Sequence, residues 1–213
     1  MSDLTLYTNP MSRGRIARWM MEEAGLPYET RIVPYGPEMK GPDYRALNPM
    51  GKVPTLVHGV TVITEGAAIC AYMADLARDA RLAPDVDDAD RGTYYRWLFF
   101  AAGPVEAAIT AHSFGFDTQD DAGYQRAGWG NLDAVADTLA QTLADGRDWW
   151  LGARFSAVDV YLGSQISWGL RFGTLPDRPG FAAYAARLAA RPAAIRAVQI
   201  DDALLAKAQA DGA

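Results

Sequence analysis

Cysteine and histidine are nearly missing from this chain: Cys70 and two histidines stand among 213 residues. A single thiol excludes an intramolecular disulfide, and one cysteine with two histidines leaves no zinc-like cluster, so no protein-bound metal is expected. A basic excess is missing as well. Lys and Arg number 20 against 26 Asp and Glu, for a formal charge of −6, whereas a nucleic-acid binder would carry a basic patch or stripe. Long apolar runs are also lacking: the most apolar window, residues 94–109, is interrupted by Arg96, Gly103-Pro104 and Glu106 and is too short to span a membrane. The opening MSDLTLYTNP has neither the basic start nor the apolar stretch of a secretion signal. Repeats and low-complexity tracts do not occur. These absences predict a cytoplasmic protein with no nucleic-acid or membrane partner. Core-forming residues, by contrast, are plentiful: half the chain is hydrophobic and 11% is aromatic, as a well-packed globular protein requires.

Periodicity divides the chain in two. Residues 4–7 alternate like a strand, and residues 14–24 place Ile16, Trp19 and Met20 on one helical face. Gly25-Leu26-Pro27 stops that helix. A second strand is predicted over 28–33, then a Gly/Pro-rich loop to Pro42 and a short helix over 43–47. Residues 53–58 and 60–64 flank Gly59 as a hairpin. Ile69, Tyr72, Met73 and Leu76 then recur at i, i+3, i+4 and i+7 in a helix over 65–78. The order β-α-β, loop, β-β-α predicts an α/β unit over residues 1–80 with a mixed four-stranded sheet. After a polar, proline-bearing linker at 81–88 no strand pattern remains. Helices are predicted over 91–114 with a kink at Pro104, and over 119–143, 156–170, 181–190 and 192–207, giving an all-helical domain across 89–213.

Three motifs stand out on this framework. Asn48-Pro49-Met50-Gly51-Lys52-Val53-Pro54 precedes the hairpin, Thr64-Glu65-Gly66-Ala67-Ala68-Ile69 opens the following helix, and Ser156-Ala157-Val158-Asp159 begins an apolar helix. With this element order and length, the chain resembles the cytosolic glutathione transferases over essentially all its residues, in a serine-type or beta-like bacterial form. The resemblance implies a thioredoxin-like domain that binds glutathione as co-substrate and a helical domain that supplies a pocket for a small hydrophobic electrophile. It further implies a two-fold homodimer and a cis Val53-Pro54 peptide; Met50, in the loop before the hairpin, either inserts into the partner or makes an ordinary loop contact.

Site residues follow from the resemblance. The backbone of Val53, next to Pro54 with its missing donor, pairs with the extended tripeptide. Glu65 holds the α-amino group while the N–H groups of Gly66 and Ala67 receive the α-carboxylate. Gly66 stands where relatives commonly carry serine, so one hydroxyl contact is lost. Lys52 either pairs with the glycyl carboxylate or is solvated. Ser156 and Asp159 form a purely structural capping box. Conjugation needs a thiolate, and a helix N-terminus with a nearby donor lowers a thiol's pKa from its free value of about 8.5. The helix starting at Gly14 supplies the N–H groups, and Ser12 supplies the hydroxyl, at the position where classes without a catalytic tyrosine carry serine or cysteine. Tyr7 is the second candidate, with Asn9 and Arg13 behind it. Serine in place of cysteine favours transferase over thiol-exchange chemistry, and Cys70 reads as a small buried residue. Met11, Phe99 and His112 are the candidate pocket residues. Alternative functions are a non-catalytic glutathione binder and a glutathione-dependent isomerase, dehalogenase or peroxidase. A thioredoxin-like redox protein is disfavoured because no C-x-x-C occurs.

Overall fold

The structure, a computed structural model, describes residues 3–116 and 120–211; residue 119, the expected start of a helix, lies outside the described residues. Residues 3–82 pack with residues 190–211 as one compact unit, and residues 83–189 form a second. In the first unit, β1 (Leu4–Thr8), β2 (Glu29–Ile32), β3 (Thr55–His58) and β4 (Thr61–Thr64) make one sheet in the order β2-β1-β3-β4. β2 runs parallel to β1, and β3 and β4 are antiparallel to their neighbours, so the expected mixed four-stranded sheet is present. Leu4, Leu6 and Thr8 are buried and alternate with half-buried Thr5 and Tyr7, as a period of two requires. α1 (Gly14–Ala24) buries Ile16, Ala17, Met20 and Met21, and α4 (Gly66–Leu76) buries Ile69, Cys70, Met73 and Ala74. Burial pushes the Cys70 thiol far above its ordinary range.

Two short helices, α2 (Pro37–Lys40) and α3 (Pro42–Leu47), build a separate core of Val33, Met39 and Tyr44 with half-buried Tyr7, Leu47 and Val53. α2 lies where only a loop was expected; its proline occupies the first helical position, where a missing N–H costs nothing.

The second unit is helical: α5 (Arg91–Phe100), α6 (Glu106–Ser113), α7 (Asp121–Arg126), α8 (Leu132–Leu143), α9 (Ala157–Phe172) and α10 (Phe181–Ala189). Between α5 and α6 the segment Ala101–Val105 is a π turn around Pro104, which accounts for the expected kink. The single helix expected over 119–143 is instead α7 and α8. Gly130, at φ +68°, turns the chain, and the Asn131 side chain caps α8 by accepting from Ala134 N at 2.8 Å. The capping box at α9 forms as expected. Its Asp159 also accepts from Trp150 N at 2.7 Å and Tyr184 OH at 2.8 Å, beside an aromatic stack of Trp97, Trp150 and Tyr184. Among the described residues no helix is long and apolar enough to cross a membrane.

α11 (Pro192–Asp211) belongs to the first unit and runs antiparallel to α1. Opposite charges fix the register. Arg15 meets Asp202 at 2.7 Å, Arg18 meets Asp201 at 3.3 Å, Glu22 meets Arg196 at 3.2 Å, and Glu23 meets Arg191 through two bonds of 2.7 Å. The exposed pairs contribute little, but Arg18 and Asp201 are fully buried. Arg18 also donates to Tyr28 OH at 2.8 Å and Thr30 Oγ1 at 2.7 Å. Burial raises the Asp201 carboxyl, against the opposing pull of Arg18.

Asp201→Ala, which strands a buried guanidinium, is expected to lower unfolding free energy by about 3–5 kcal/mol in urea titrations. The pair Arg18→Met with Asp201→Leu should recover most of that loss, and Asp202→Ala should cost less than about 1 kcal/mol. A second test concerns Asp159, whose carboxyl burial pushes up to about 6, with its hydrogen-bond donors opposing. In the window from about pH 4 to 6 the folded state therefore keeps a proton that the unfolded state releases, and stability falls as pH rises through it. The stability advantage of wild type over Asp159→Asn should shrink by about 2 kcal/mol between pH 4 and pH 7; a constant difference would contradict the shift.

Candidate active site

Strand register brings the expected glutathione-site residues of the first unit to one end of the sheet. Tyr7 pairs with Thr55, Thr55 with Thr64, and Thr8 with Ile32. The chain therefore leaves β1, β2 and β4, and enters β3, at the same end. Ser12 follows β1, Val53-Pro54 precedes β3 and Glu65 follows β4. The N-termini of α1 and α4 open there too; at α1 the N–H groups of Gly14, Arg15 and Ile16 donate to Ser12 Oγ, Ser12 O and Arg13 O, while those of Gly66 and Ala67 lie ahead of the α4 ladder. Such an end attracts anions.

The turn after β1 is built on Asn9, which is buried. Its Nδ2 donates to Val33 O at 3.0 Å, and its Oδ1 accepts from Met11 N at 2.9 Å. Its carbonyl accepts from both Ser12 N at 3.1 Å and Ser12 Oγ at 2.7 Å. Ser12 Oγ in turn accepts from Gly14 N at 2.9 Å. Asn9 is thus a framework residue. Ser12 stands at the mouth of α1 as expected, but with its hydroxyl proton directed at a carbonyl. Gly14 has a spatial reason to be glycine: a Cβ there would run into Thr8 Oγ1 and come within 2.9 Å of Ser12 Oγ. Tyr7 packs against Tyr44, with ring centroids 6.0 Å apart, in the core under α2 and α3. Arg13 is exposed at the start of α1. Arg15 donates to Pro10 O and to Asp202.

The Val53-Pro54 peptide is cis. The loop before it is held from several directions. Tyr44 OH and Asn48 Nδ2 both donate to Lys52 O, at 2.7 and 2.8 Å, and Lys40 Nζ donates to Met50 O and Gly51 O at 3.2 and 2.6 Å. Gly51, at φ +57°, leaves no room for a Cβ, which would lie 2.7 Å from Met39 O. Burial raises the Tyr44 phenol, so it stays a donor. Lys52 and Met50 are exposed. The pins Lys40, Tyr44 and Asn48 were not foreseen, although Asn48 stands in the motif itself.

Glu65 sits between β4 and α4 at φ +65°, ψ +119°, a backbone conformation that L-residues rarely adopt. Strain of this kind costs on the order of 1–3 kcal/mol and gathers at functional sites. The first bond of α4 runs from Ile69 N to Glu65 O at 2.9 Å, leaving the N–H groups of Gly66 and Ala67 ahead of the ladder. Of the expected pocket residues, Met11 is 65% exposed on the β1 turn. Phe99, on α5, is 74% exposed. His112, on α6, lines a cleft of about 330 Å³ within the second unit with Asn131, Leu132, Asp133 and the segment 173–176. Among the described residues no His, Cys, Asp or Glu group could hold a metal ion.

Comparison with known proteins agrees with this arrangement. The family model described as glutathione S-transferase, N-terminal domain, matches residues 11–76. Glutathione S-transferase GstA of Escherichia coli is 31% identical over 169 residues, 78% of this chain and 79% of that protein. Glutathione S-transferase GST-4.5 of Xanthomonas campestris is 31% identical over 179 residues, 80% of this chain and 84% of that protein. Among solved structures, the theta class glutathione S-transferase of Xanthomonas axonopodis with glutathione bound is 30% identical, with a TM-score of 0.73 over 93% of this chain and 98% of that one.

Alanine normally stabilises a helix over glycine by about 0.5–1 kcal/mol, yet Gly14→Ala should destabilise this fold by about 1–3 kcal/mol through overpacking against Thr8. Thr8→Ala in the same chain should recover most of the loss in a thermal melt. Failure to recover would place the obstruction elsewhere.

Proposed function

The chain belongs to the glutathione S-transferase family, and from that premise we propose that it joins glutathione to a small hydrophobic electrophile. The observation that supports this most is the convergence of two helix N-termini, the cis Val53-Pro54 edge and the strained Glu65 at one end of the sheet. In this reading residues 1–80 are the glutathione domain, 81–88 the linker, and 89–213 the domain that offers the electrophile pocket, with its last helix, α11, packed into the first unit. The tripeptide lies along Val53, with Glu65 on its α-amino group and the amides of Gly66 and Ala67 on its α-carboxylate. Lys52, which is exposed, pairs with the glycyl carboxylate in this reading.

The thiol loses its proton to solvent, and the sulfur sits at the mouth of α1. Ser12 turns its proton from Asn9 O to the sulfur, so the thiolate replaces a carbonyl as acceptor. The sulfur lone pair forms the new bond to carbon, and a leaving group departs with its electrons or the adduct is protonated. Phe99 and His112, both in the second unit, are the candidates for the electrophile side. The active form in this reading is a cytoplasmic homodimer that uses no metal.

A second reading, a non-catalytic glutathione binder, draws on two observations: the Ser12 proton is already committed to Asn9 O at 2.7 Å, and Gly66 has no hydroxyl. Calorimetry with glutathione combined with turnover of an activated aryl halide separates the two readings. Ser12→Ala should lower turnover at least tenfold (about 1.4 kcal/mol) with glutathione affinity nearly unchanged, and Glu65→Ala should weaken glutathione binding at least tenfold. Binding without turnover in the wild type would establish the binder instead.

A further inference from the structure

The hydroxyl of Ser12 has one proton, and a hydroxyl cannot give one proton to two acceptors. With that proton on Asn9 O and its lone pair on Gly14 N–H, Ser12 can serve a sulfur only by giving up a bond in the framework of the turn. A donor whose competing bond is longer and exposed comes from the next loop. The loop that follows β2 is fixed at its root: Val33 N donates to Thr8 O at 2.9 Å, Asn9 Nδ2 donates to Val33 O, and Val33 is buried with Met39 and Tyr44. Two residues further on, Tyr35 reaches back across the β1 turn, and its phenol donates to Met11 O at 3.2 Å. That carbonyl belongs to the residue immediately before Ser12.

Three properties make this phenol a candidate for chemistry. It is 55% exposed, so a ligand can reach it. Its bond to Met11 O is long for an O–H donor. The carbonyl it would release lies in an exposed part of the turn, so water can replace the lost bond, and no buried group is orphaned. Pro34 before it and Gly36-Pro37 after it, leading into α2, limit where the ring can go.

We propose that Tyr35 is a second catalytic hydroxyl of this site. When glutathione binds, the Tyr35 O–H turns from Met11 O to the sulfur and shares the thiolate charge with Ser12. The thiol proton leaves to solvent and Tyr35 keeps its own, so the step moves one hydrogen bond and no covalent bond. The inference deepens the reading of this turn as the thiolate site and rests on it. It also gives a use to an aromatic in a Gly/Pro loop that neither the family motifs nor helix periodicity singles out.

The experiment compares wild type, Tyr35→Phe, Ser12→Ala and the double variant. Glutathione affinity is read by calorimetry, ionisation of the bound thiol by its ultraviolet absorbance against pH, and turnover with an activated aryl halide. Tyr35→Phe should bind glutathione within about threefold of wild type, lose about tenfold in kcat, and shift the bound-thiol titration up by about one pH unit. The double variant should be worse than either single one. Wild-type thiol titration and turnover in Tyr35→Phe, alongside a loss in Ser12→Ala, would overturn the inference and leave the functional reading standing. A weakened affinity with an unmoved thiol titration would also overturn it, making Tyr35 a binding contact only. No binding by the wild type would remove the functional reading itself, and this inference with it.

Discussion

A single buried amide holds the site in place. Asn9 ties the turn after β1 to itself through Met11 N, to the Ser12 hydroxyl through its carbonyl, and to the loop after β2 through Val33 O. A buried amide is tolerated only when its donors and acceptors are matched, and here the matching partners are the segments that carry Ser12 and Tyr35. The same bonds that satisfy Asn9 therefore set the distance between two hydroxyls and the start of α1. Its neighbours add steric definition. Gly14 approaches Thr8 more closely than any side chain allows, so α1 begins immediately behind the serine.

Precision at the front of α1 depends on support at its back. Helix α11 lies along α1 with arginines facing acids at one end and acids facing arginines at the other. A shift along the axis would oppose like charges, and the buried Arg18–Asp201 pair would lose its partner in a medium where an isolated charge is very costly. Electrostatic catalysis works by dipoles fixed before the reaction starts. A helix N-terminus that could slide would lose that advantage, so α11 would serve the proposed site by bracing α1.

Legibility in the sequence followed the range of the interactions. The hairpin around Gly59, the capping box at Ser156 and Asp159, and the order of strands are local, and each was readable from spacing. The motifs at 48–54 and 64–69 pointed to the sheet end where the strands converge. What escaped was set by partners far away along the chain. Arg18 drew no reading from the helical pattern of α1, because its partner Asp201 lies 183 residues further on. Gln119 to Leu143 read as one helix because the periodicity resumes after Gly130, and the Asn131 cap that separates α7 from α8 lies inside an otherwise helical composition. Ser12 was read as a hydroxyl at the start of α1, and it lies there in the fold. The direction of its proton is a property of the folded turn, and no pattern of residues encodes it; the Tyr35 bond to Met11 O is of the same kind.

The charges near the turn decide how a thiolate would be held there. Arg15 and Arg18 make the first turns of α1 look strongly basic, but Asp202 and Asp201 pair with them. Arg13 is exposed, and water screens its field. A chain with a formal charge of −6 thus has little net cationic field to offer at this point. What remains is short-ranged: the N–H groups at the start of α1, which act within about one turn, and hydroxyls within hydrogen-bond reach. Short-range donors act by direction as much as by presence, so the strength of the proposed site depends on how readily two hydroxyls aimed at the Asn9 and Met11 carbonyls can be turned toward sulfur.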